Sequence, residues 1–192
     1  MAAFDYVIIL LSFVYALALT HLLSRVGALM LDRQRVRFSG LQALVMLTAG
    51  TQVYLNWLAI WYARGFAVWN LLSITGALVF AIWNYLLCVA AGPTLPEEGL
   101  IDLNGFYWQN RRLFWSVFTA GIALAVVINL GFTKTAPLTP RQSLQWTLAT
   151  LAFFLPGLLA LAVSARWAQW TAALGAMAVS IAWLILFSAS LH

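Results

Sequence analysis

Six long apolar stretches, parted by short polar ones, leave this chain little choice of fold. A membrane-spanning helix needs roughly 20 predominantly apolar residues. That rule marks residues 4–31, 39–63, 67–91, 110–132, 142–163 and 168–190. Of the 192 residues 64% are hydrophobic and only 8% are charged. Soluble domains run at about 45–50% apolar and about 25% charged, so a core of this length has no room for so much apolar surface. The expected fold is all-α: a six-helix bundle of a polytopic integral membrane protein, one transmembrane domain over residues 1–192, with lipids as its first partners.

The first stretch, FDYVIILLSFVYALALTHLLSRVGALML, is read as a retained span rather than a signal peptide. Its start carries Asp5 and no basic residue, and the apolar run continues beyond the Ala16-Leu17-Ala18 triplet that mimics a cleavage site. The longest loop joins spans three and four and holds Glu97, Glu98 and Asp102. These acids read as solvated charges that offset Arg111 and Arg112. The Phe106-Tyr107-Trp108 rings ahead of those arginines read as a headgroup anchor.

Charge gives the orientation. Odd-numbered loops with the end of the first span hold Arg25, Arg33, Arg35, Arg37, Arg111, Arg112 and Arg166, against Arg64, Lys134 and Arg141 on the other side. Basic residues concentrate on the cytoplasmic side, so both termini are expected outside, in a bacterial-type cell inner (plasma) membrane. The net charge of +5 belongs to this pattern and points to no nucleic acid.

Candidate site residues come from polar groups at membrane depth, where ionisable side chains are costly and mark function by default. Thr20, His21, Ser24 and Arg25 fall near one stripe of the first helix, expected to face the bundle. Gln52, Asn56 and Asn84 (with Asn70 and Asn129) are amides that glue helices together or line a polar path. Pro156 is expected to kink span five. Among ten tryptophans, Trp115 and five others lie near span ends and read as interface belts, while Trp57 and Trp83 lie deeper. Ala172, Gly175 and Ala176 form a small-residue face suited to close helix approach, within the chain or between copies.

Several chemistries lack their residues. One cysteine, Cys88, allows no intrachain disulfide, and two histidines, His21 and His192, supply no zinc set and no bis-histidine haem site within one chain. No P-loop, dinucleotide fingerprint, G-x-S-x-G or HExxH occurs. The sequence therefore assigns no cofactor, no metal and no catalytic residue. Two functions fit best: a small transporter or channel with His21, Gln52, Asn56 and Asn84 along its path, or a non-transporting anchor, accessory subunit or assembly partner, with span six as a contact face for a homo-oligomer or another membrane protein; a redox or lipid-modifying enzyme is the third, with no motif in its favour.

Overall fold

In the computed structural model the backbone is described for residues 3–60, 71–96, 98–133 and 140–188. The loop residues Arg64, Asn70, Glu97 and Lys134, the terminal His192, and the side chains of Asn129, Arg141 and Trp146 lie outside what is described. The described chain is all-α apart from two short strands. In order it runs α1 (Ala3–Leu31), a 3-10 turn (Arg33–Arg35), β1 (Val36–Arg37), α2 (Gly40–Ile60), α3 (Leu71–Ala91), β2 (Ile101–Asp102), α4 (Leu103–Thr133), α5 (Pro140–Ala152), α6 (Phe154–Ala162) and α7 (Arg166–Ser188). Five of these helices, α1, α2, α3, α4 and α7, are long and apolar enough to cross a membrane.

Each long helix buries one stripe and leaves the rest apolar too. On α1 the buried residues Val7, Leu11, Tyr15, Ala18 and Leu22 recur every three or four positions, while Tyr6, Ile9, Leu10, Phe13, Leu17 and Leu23 are exposed. A helix in water carries polar residues on that outer face; one that is apolar all round suits an apolar medium. α1 packs chiefly on α3, α3 on α4 and α2, α2 on α7, and α6 lies between α4 and α7.

The two strands are short but decide the layout. β1 follows α1 and β2 follows α3, and they pair in parallel, Val36 with Ile101 and Arg37 with Asp102. The α1–α2 and α3–α4 connections are therefore clipped together at one end of the bundle. Arg35 reinforces the clip: its Nε donates to the Gly99 carbonyl at 2.8 Å and its terminal nitrogen to that of Pro96 at 3.2 Å. Gly99 holds φ +91°, a left-handed conformation that a Cβ disfavours.

Two expectations are corrected by α4. It begins at Leu103, seven residues ahead of the expected 110, because Asp102 caps it by accepting from the Asn104 N–H at 3.0 Å. Leu103, Tyr107, Arg111, Phe114, Trp115, Phe118 and Ile122 then form one buried stripe at helical spacing. Tyr107, Arg111 and Trp115 thus sit inside the bundle rather than on its outer surface, and among the described residues Arg111 donates to the Ala160 carbonyl.

Span five is interrupted, three residues ahead of Pro156. Proline lacks an N–H and its ring clashes with the carbonyl four residues back, here Ala152. α5 ends at Ala152, Phe153 makes a tighter turn by donating to the Thr150 carbonyl, and α6 starts with Pro156 in its first turn, where a missing N–H costs nothing.

Candidate functional site

The stripe expected on α1 divides. Taking the middle of the buried face as reference and about 100° per residue, Arg25 lies roughly 40° away, His21 roughly 80°, Ser24 roughly 140° and Thr20 roughly 180°. Arg25 and His21 are accordingly half-buried, while Thr20 and Ser24 are exposed. The expectation that all four face the bundle fails for Thr20 and Ser24, because a stripe wide enough to hold four such residues exceeds the face that α2 and α3 cover. His21 and Arg25 meet the end of α3: a methyl at Gly92 would stand 3.4 Å from His21 Nε2 and 3.3 Å from Arg25 Cγ. The imidazole also tilts against the Tyr85 ring, centroids 5.9 Å apart.

The amides are engaged across helix pairs. Asn56 Nδ2 donates to Asn84 Oδ1 at 2.8 Å, joining α2 to α3, and Asn84 Nδ2 returns to the Phe80 carbonyl at 2.9 Å. Gln52 Nε2 donates to Ser180 Oγ at 3.2 Å, joining α2 to α7, and that hydroxyl donates onward to the Ala176 carbonyl. The deeper tryptophans do the same work: Trp57 Nε1 donates to Ser12 Oγ and Trp83 Nε1 to the Val117 carbonyl.

Two glutamines that the sequence reading passed over are more deeply placed. Gln42 is 1% exposed and Gln169 0%. Each sits in the first turns of its own helix and caps the end of a neighbour. Gln42 Nε2 donates to the Ala91 carbonyl, the last of α3, at 2.6 Å. Gln169 Nε2 donates to the Ala160 and Val163 carbonyls at the end of α6. Helix C-terminal carbonyls have no partner in their own helix; those of Ala91 and Ala160 are buried away from water and that of Val163 half-buried, so side-chain donors satisfy them.

Gln169 also anchors a polar cluster that joins α4, α6 and α7. Tyr107 donates to Gln169 Oε1 at 2.6 Å, Trp115 Nε1 donates to the Tyr107 oxygen at 3.3 Å, and Arg111 donates to the Ala160 carbonyl at 3.3 Å. The Arg111 guanidinium lies 5.7 Å from the Trp108 ring. A buried cation is thus held by a carbonyl at the negative end of α6 and by a π face.

The small-residue face of α7 is used inside the chain. Ala172 and Ala176 are fully buried, and a Cβ at Gly175 would stand 3.6 Å from the Pro156 ring. These residues let α6 and α2 approach α7 closely.

No group of three His, Cys, Asp or Glu side chains is placed to hold a metal among the described residues, and Cys88 is buried. The chemistry this arrangement supports is positional: hydrogen bonds lock helix pairs, and cations gather at one end. No family model, curated protein or solved structure matches the chain.

Proposed function

We propose that the chain is an integral membrane protein that crosses the bilayer six times and acts as a non-transporting partner, an anchor or accessory subunit of a larger membrane assembly. Five apolar helices with apolar outer faces support the medium. The sixth crossing is assigned to α5 and α6 together. α4 leaves from the β1–β2 end, and the end of α6 returns to the first turns of α4 through Arg111 and Gln169. Laid end to end, 13 and 9 helical residues reach roughly 33 Å, against about 30 Å of hydrocarbon. The same end gathers the seven basic residues counted above, which favours the cytoplasmic side for it and the outside for both termini.

The observation that carries the partner role is the pairing of the buried amides. Gln52, Asn56 and Asn84, the residues expected along a transport path, are joined to Ser180 or to each other as cross-helix fasteners. Such bonds contribute about 0.6–2 kcal/mol each in a bilayer and tie α2 to α3 and α7, which suits a rigid body. Purification from its own membrane in mild detergent tests the role: a stoichiometric second protein is expected, and recovery of the chain alone contradicts it. The transporter reading rests on His21 and Arg25, half-buried together against Gly92. Proteoliposomes assayed for proton, alkali-cation and anion flux are expected to match protein-free vesicles; a flux lost in His21→Ala would install transport in place of the partner role.

A further inference from the structure

α1 packs chiefly on α3, and along its second half a gap opens at the surface between it and α2. The gap is an open groove of about 740 Å³, within the roughly 300–1,000 Å³ range of small-ligand sites. Its walls are apolar: Leu19 to Met30 on α1, with Met46, Leu47 and Gly50 on α2. Among the described residues the one charged side chain lining it is Arg33, just past the end of α1.

We propose that this groove holds one acyl chain of an anionic phospholipid, with the phosphate over Arg33. The inference rests on the membrane reading given above. Length selects the occupant. From Leu19 to Met30 the groove runs roughly 17 Å along α1, which is about half of a 30 Å hydrocarbon core and so the depth of one leaflet. A helix of another protein would need the full depth. Charge selects the headgroup. The turn after α1 carries Arg33, Arg35 and Arg37 with the one carboxylate of Asp32, and the strand pair sets Asp102 across from Arg37, where that carboxylate caps α4. Arg35 is occupied by the Pro96 and Gly99 carbonyls. Arg33 and Arg37 are exposed, and Arg33 stands on the rim itself. A phosphodiester there gains charge-assisted hydrogen bonds, whereas a choline headgroup brings its own cation beside the arginines.

The full chain, purified in mild detergent, is incubated with phosphatidylglycerol or with phosphatidylcholine of the same acyl chains, and bound lipid is counted by native mass spectrometry. One phosphatidylglycerol per chain is expected, retained at least several-fold better than phosphatidylcholine. Arg33→Gln, on an exposed turn remote from the core, is expected to bring the two lipids to the same level. Ala43→Phe, which fills the groove, is expected to lower both. Equal retention of the two lipids by the unaltered chain overturns the proposal, as does unchanged preference in Arg33→Gln. Alkaline carbonate extraction separates the two failures: a chain released from membranes into the supernatant overturns the membrane reading itself, while a chain that stays in the pellet leaves the lipid counts to judge the groove alone.

Discussion

At the residue scale, the polar side chains that matter most are those whose loss strands several partners. Removing Gln169 leaves the half-buried Val163 carbonyl short of a donor and the Tyr107 hydroxyl without its acceptor, while the Ala160 carbonyl keeps only the Arg111 donor. Each stranded buried group costs about 1–3 kcal/mol. Removing Gln52 withdraws only one donor from Ser180, which keeps its own bond to Ala176. Gln169→Leu is therefore expected to destabilise the protein by about 3 kcal/mol and Gln52→Leu by about 1 kcal/mol, read as shifts in the unfolding midpoint in detergent; equal shifts would contradict the ranking. Gln52, Asn56 and Asn84 stood out in the sequence because amides in mid-span are conspicuous. Gln42 and Gln169 did not, because they lie at span ends, where a polar residue ordinarily meets headgroups. What they cap belongs to a different helix, and no local pattern announces that.

At the scale of the element, the break between α5 and α6 follows from Pro156 alone, but its use depends on a neighbour. A Cβ at Gly157 would collide with Thr119 Oγ1 on α4 and stand 3.4 Å from Phe118 Cδ1. That hydroxyl is the one buried side-chain oxygen or nitrogen without a hydrogen bond among the described residues. α6 is thus pressed onto α4 at a point where a polar atom goes unpaired. Gly157→Ala is expected to cost about 2 kcal/mol through overpacking. Thr119→Ala, which removes the orphan oxygen, is expected to change stability little and to restore most of the loss in the double variant. Additive effects in that cycle would show that the two residues do not press on each other. The start of α4 was legible but misread. Positions 103, 107, 111, 114, 118 and 122 have helical spacing in the sequence, yet an arginine in that row suggested a boundary rather than a core. A second element-scale prediction concerns Gly99, whose φ of +91° supports the carbonyl that Arg35 holds. Gly99→Ala is expected to cost about 1 kcal/mol and to speed proteolysis within residues 92–100, while the helices stay protected.

At the scale of the whole molecule, the parallel β1–β2 pair turns a set of hairpins into a bundle with two unlike ends. Alternating apolar runs gave the number of long helices their likeness to spans, but nothing in them says that the first and third connections touch. That contact needs Val36 and Ile101 to meet across 65 positions of sequence, beyond the reach of any local pattern. Once they meet, the ends of α1, α3 and α6 and the starts of α2, α4 and α7 share one level, and helix C-termini lie among arginines, which favours cations there. The layout makes a topological prediction that six crossings satisfy and five do not. In a Cys88→Ala background, single cysteines at Gln34, Glu98 and Ser164, all exposed, are expected to react with a membrane-impermeant maleimide from the same side of sealed vesicles. Gln34 and Glu98 are bound to agree by the strand pair. Ser164 agrees only if α5 and α6 together carry the chain back across the hydrocarbon; labelling of Ser164 from the opposite face would mean that they do not, and would remove the sixth crossing while leaving the clipped end intact.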